Sequence, residues 1–91
     1  MRLTARQREI LTGLRDDPEC DLVEEGREVW FGFSQTNLRM VNFFLRRCLI
    51  QLAQDSRIDS VFKRYEITEW GLRVLVDDSF DPEAELIRLL K

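Results

Sequence analysis

The residues able to grip another molecule are concentrated in one stretch. From Val29 to Gln54 the chain carries Arg39, Arg46 and Arg47 and no acid, with Gln35, Thr36 and Asn37 just ahead of them. Guanidinium groups hold phosphate through paired hydrogen bonds, and in a DNA groove amides match adenine edges as arginine matches guanine. Arg57, Lys63 and Arg64 follow as further cations suited to phosphate. Twelve of the 14 basic residues are arginine, a bias that suits forked contacts; genomic codon usage explains it equally well.

Catalytic chemistry has little to build on. There is no histidine, hence no imidazole base, no Ser-His-Asp or Cys-His arrangement and no His-containing zinc site. Cys20 and Cys48 are too few for a thiolate metal site and form no Cys-x-x-Cys pair. Asp16-Asp17 and Asp77-Asp78 are adjacent acids without a partnering cluster, better read as helix terminators. No Gly-rich phosphate loop or metal-ligand spacing is present. The expectation is a non-enzymatic protein with no cofactor and no metal.

The net charge of -3 hides a segregation. Residues 1–15 carry +3, residues 16–28 carry -6, residues 29–54 carry +3, residues 55–66 balance, and residues 67–91 carry -3. An acidic chain can therefore still present a basic face. The run Asp16 to Asp21, with Glu24, Glu25 and Glu28, reads either as a solvated surface or as an acidic contact surface.

Ninety-one residues accommodate one domain with one small core. Apolar residues at 44% against 34% charged fit a globular chain and not a disordered one. No apolar run approaches the roughly 18–20 residues of a membrane span, and the first residues show no apolar signal core. A cytoplasmic location is expected, with both cysteines reduced.

Periodicity then supplies the elements. Thr4 and Gln7 have capping-box spacing, and Leu3, Ile10, Leu11 and Leu14 make one stripe of a helix that ends at Asp16-Asp17-Pro18. Leu22-Val23 and Val29 to Phe33 read as strands around a turn at Gly26, with Val29, Phe31 and Phe33 on one side. Ser34 to Cys48 reads as a helix capped by Ser34, burying Leu38, Val41, Phe44, Leu45 and Cys48. Leu49 to Ala53 and Val61 to Ile67 read as two strands, the second with a bulge or late start because Phe62 and Tyr65 break its alternation. Thr68 caps another helix, and Asp81-Pro82 starts a last one with Leu86, Ile87, Leu89 and Leu90 as its stripe.

This order, together with Leu3 to Leu11, Ser34 to Ile50 and Tyr65 to Leu75, resembles the winged-helix family. The resemblance covers most of residues 3–76. Two features depart from it: Cys48 stands where many members have glycine, and the segment before Ser34 reads as strand, not as the supporting helix of a helix-turn-helix. The resemblance implies an α+β fold with a β-hairpin wing, a winged-helix domain over residues 1–78, and a C-terminal helix over 79–91 as a candidate dimerisation element.

As function it implies a DNA-binding transcriptional regulator. Gln35, Thr36, Asn37 and Arg39 would then meet base edges, with Arg46, Arg47, Arg57, Lys63 and Arg64 on phosphates. The alternative is an acidic protein-binding module, such as a phage-encoded inhibitor of a bacterial defence complex (anti-CRISPR type). Its contact candidates are Glu24, Glu25, Glu28, Trp30, Met40, Phe43 and Trp70, with Met40 and Phe43 on the face that would meet the groove. Partners are thus double-stranded DNA or a protein complex, with no membrane, and a homodimer through the last helix's stripe.

Overall fold

In the computed structural model, which describes all residues from Met1 to Lys91, helix α1 (Ala5–Asp16) starts where Thr4 demands. The Thr4 hydroxyl accepts the Gln7 N–H at 3.1 Å and the Gln7 side chain accepts the Thr4 N–H at 2.9 Å. Two orphan donors are thereby satisfied reciprocally. Ile10 and Leu11 are fully buried, and Asp17 caps the far end.

Strands β1 (Leu22–Glu25), β2 (Glu28–Phe31) and β3 (Ser34–Thr36) form an antiparallel meander. Both of its turns are two-residue loops, Gly26-Arg27 and Gly32-Phe33, led by glycines at φ 61° and 58°. Glycine in that first position is what a type II′ hairpin turn requires. The second turn overturns two sequence expectations. Gly32 reverses the chain, so Phe33 stands fully exposed at the turn instead of following Val29 and Phe31 inward. Ser34, Gln35 and Thr36 pair with Phe31, Trp30 and Val29 as a strand, not as the first turn of a helix.

Helix α2 (Leu38–Arg46) is capped by Asn37, whose side chain accepts the Met40 N–H at 2.9 Å. Ser34 and Asn37 are equally good caps by type; pairing with β2 holds Ser34 extended and leaves the role to Asn37. The buried stripe is narrower than expected: Val41 and Phe44 are enclosed, while Leu38, Leu45 and Cys48 are exposed.

The exit from α2 is tightly specified. Leu49 N–H bonds to the Phe44 carbonyl (3.0 Å) and Cys48 N–H to the Leu45 carbonyl (3.1 Å). This is a Schellman motif, and it places Cys48 at φ 57°. The chain continues into β4 (Ile50–Leu52), β5 (Phe62–Ile67), α3 (Glu69–Val76) and α4 (Pro82–Leu89). Thr68 caps α3 through the Gly71 N–H, and its hydroxyl also donates to the Cys48 carbonyl. A Cβ on Gly71 would collide with the Leu49 carbonyl, so only glycine lets α3 approach the end of α2 this closely.

The five strands form one antiparallel sheet in the order β3-β2-β1-β5-β4. β5 starts at Phe62 and pairs residue for residue with β1 from Phe62 to Tyr65, so of the expected bulge or late start the structure shows the late start. Leu22, Val29, Phe31, Ile50 and Tyr65 point from the sheet into a single core with Ile10, Leu11, Val41, Phe44, Val74 and Leu75. Full burial of one such side chain contributes about 1.5–3 kcal/mol. The core extends to Phe80, whose ring meets Trp70 edge-on at 5.6 Å.

Candidate functional site

Along α2, positions 39, 42 and 46 fall on one outward stripe, because steps of three and four residues return to the same helix face. The structure accordingly exposes Arg39, Asn42 and Arg46 together. With Phe43 and Arg47 they line a shallow cleft of about 540 Å³. A smaller recess of about 190 Å³, lined by Gln7, Asn37, Arg39, Met40 and Phe43, lies toward the start of the helix.

Arg47 forms the floor of this surface more than its working edge. Its guanidinium stacks 3.9 Å from the Phe43 ring centroid and donates to the Phe43 carbonyl at 3.1 Å. It pairs with Glu83 of α4 at 2.8 Å, and its Nε is buried without a partner. Arg39 and Arg46 have no carboxylate within 4 Å, so their charge is free for a ligand. Eight of the chain's 14 cations do have such a partner; of the six that do not, Arg39 and Arg46 are the two on α2.

The cations after β4 differ in this respect. Arg57 pairs with Asp59 at 3.3 Å, Lys63 with Glu24 at 3.7 Å, and Arg64 with Asp55 at 2.6 Å and Asp21 at 3.9 Å. The Asp55 hydrogen bond pushes the Arg64 pKa above its usual value. Gln35 and Thr36 lie on β3, ahead of the helix, and the Asn37 side chain is occupied as a cap. The structure thus groups Arg39, Arg46 and Arg47 on one surface and adds Asn42 to it. The helical spacing from Arg39 was the signal for Asn42 in the sequence.

Of the acidic and aromatic candidates, Glu25 and Glu28 are exposed beside the β1–β2 turn, while Glu24 is mostly enclosed by Lys63 and Tyr65. Trp30 is half-buried, its indole N–H donating to Glu28 at 3.3 Å. Met40 and Phe43 correct their expected outward placement: both are half-buried and packed on the core, because α2 turns them toward its flank. Trp70 is half-buried against Phe80. In α4, Leu86 turns inward, whereas Ile87, Leu89 and Leu90 are exposed.

The paired acids serve the backbone. Asp17 accepts from the Glu19 N–H at 2.9 Å and from the Cys20 thiol at 3.1 Å. The Glu19 bond, then the thiol, hold the Asp17 pKa below the usual carboxylate range, and Asp17 in turn pushes the Cys20 thiol up. Asp77 accepts from both the hydroxyl and the N–H of Ser79, which lowers its pKa likewise. No three His, Cys, Asp or Glu side chains converge as a metal cluster, and no helix is long and apolar enough to cross a membrane.

Compared with known proteins, the chain matches no family model, no curated protein and no solved structure.

Proposed function

We propose that the chain is a non-enzymatic, winged-helix type double-stranded DNA-binding domain of a transcriptional regulator. The observation that carries this reading is the exposed stripe Arg39, Asn42 and Arg46, with both arginines free of carboxylates. Seated in the major groove, α2 offers Arg39 to guanine, Asn42 to adenine and Arg46 to a phosphate. The element order also supports it: α1 and β1, then α2, then β4 and β5 as a wing, then α3, with β1, β5 and β4 adjacent in the sheet. The left-handed conformation of Cys48 fits a position at which many winged-helix proteins carry glycine. Here the β2–β3 hairpin takes the place of the supporting helix, so the start of α2 rests on a strand.

The test is binding to duplex DNA at two salt concentrations. Wild-type protein binds with a steep salt dependence, and the Arg39→Ala/Arg46→Ala variant loses affinity with a logarithmic salt slope shallower by about 1, from the phosphate contact of Arg46. A folded wild type that leaves duplex DNA unbound at low salt overturns the reading. The exposed Glu25 and Glu28, with the half-buried Trp30, beside the β1–β2 turn favour a second reading in that event, an acidic protein-binding module.

A further inference from the structure

Where the end of α2 faces the start of α4, Arg46, Arg47 and Glu83 line a recess of about 310 Å³. Two guanidinium groups there meet one carboxylate, and the carboxylate is taken by Arg47 alone. The two ends of the Arg47 guanidinium are held differently. Nη1 donates to the Phe43 carbonyl at 3.1 Å, and the group lies 3.9 Å from the Phe43 ring centroid, so α2 itself fixes its position. Nη2 meets Glu83 Oε1 at 2.8 Å. Nε is enclosed without an acceptor, so an anion reaches the group from its Nη2 side. The Arg47 side chain is 23% exposed and that of Glu83 61%. The cation is built into the fold, whereas the acid leans on it from outside and can leave without disturbing the core.

We propose that this recess seats the backbone phosphate of Arg46, with Arg47 as its second ligand, and that Glu83 occupies Arg47 in the phosphate's place. Helix α4 thereby restrains the affinity of α2 for DNA. The inference rests on the DNA reading above and concerns the regulation of that same surface. A carboxylate and a phosphodiester oxygen are alternative acceptors for one guanidinium edge. A phosphate entering the recess gains Arg47 only by displacing Glu83, exchanging one ion pair for another. Exposed ion pairs are weakly held, so the exchange is reversible and the restraint partial.

The experiment is fluorescence anisotropy of the full chain on labelled duplex DNA across several salt concentrations, with thermal melting as the check of folding. Glu83→Gln binds roughly three- to tenfold more tightly than wild type, with a logarithmic salt slope steeper by about 1, because Arg47 then adds a phosphate contact. Glu85→Gln removes the same charge from α4 but touches Arg88 instead; it stays within about twofold of wild type at an unchanged slope. In an Arg47→Gln background, Glu83→Gln leaves the slope unaltered. A folded Glu83→Gln that binds like wild type or like Glu85→Gln overturns this inference and leaves the DNA reading standing. A gain that persists without Arg47 assigns the effect to net charge and overturns it as well. If neither wild type nor Glu83→Gln binds duplex DNA at low salt, both readings fall together.

Discussion

Glu24 of β1 and Lys63 of β5 are direct cross-strand partners, with Nζ 3.7 Å from Oε2. Both side chains are largely enclosed, and the Tyr65 hydroxyl donates to the other Glu24 oxygen at 2.9 Å. An acid suited to a protein partner and a cation suited to phosphate thus neutralise each other inside the sheet. Opposite charges placed directly across paired strands stabilise the pairing.

This cluster gives the fold an alkaline limit. Burial first, and then the Glu24 carboxylate, push the Tyr65 pKa from 10.0 up to about 12. The folded state therefore retains a proton that the unfolded state releases. The stability from this source is complete below pH 10 and is lost as the pH rises toward about 12, a change of roughly 2 kcal/mol. Urea unfolding across that range shows a falling midpoint for wild type and a flatter profile for Tyr65→Phe.

Binding and stability separate between the two groups of cations. Lys63→Ala lowers stability by roughly 1–2 kcal/mol, because Glu24 is left enclosed without its partner. It leaves duplex affinity within about twofold of wild type, since this ammonium was already neutralised. Arg39→Ala does the reverse, weakening duplex binding about tenfold or more with little change in melting temperature. Fluorescence anisotropy on labelled duplex, with melting alongside, distinguishes the two patterns.

Cys48→Gly stabilises the protein by roughly 0.5–1 kcal/mol. A side chain at φ 57° strains the backbone, and glycine relieves that strain at some cost in unfolded-state freedom. Gly71→Ala acts in the opposite direction by roughly 1–3 kcal/mol, since its methyl group meets the Leu49 carbonyl. Denaturant midpoints at unchanged slope report both effects.

Asn37→Ala costs about 1 kcal/mol, because the Met40 N–H loses its acceptor and the first turn of α2 loosens. Ser34→Ala costs less, since that residue sits in β3 and caps nothing. Thermal melts of the two variants side by side check this order.

Local chemistry explains which features were legible from the residues alone. Thr4, Thr68 and Asp81 cap the helices their spacing announces, because a cap and its N–H donors lie within a few residues. The Gly26 turn is equally local. The start of α2 was not, since Ser34 and Asn37 tie as caps and only pairing with Trp30 and Val29 separates them. The pair Gly32-Phe33 was the overlooked hint, a two-residue hairpin loop between β-favouring segments. Charge pairing was the least legible: Arg64 meets Asp21, 43 positions earlier, and residue type cannot show that this guanidinium is taken while Arg39 and Arg46 stay free.

The junction of Cys48, Leu49, Thr68 and Gly71 has a mechanical consequence. The tail of α2 and the head of α3 share one hydroxyl and one close backbone approach, so neither helix can swivel without dragging the other. If α2 docks on DNA as proposed, docking would proceed by whole-body reorientation, with the angle of the arginine-bearing rod already set in the free molecule.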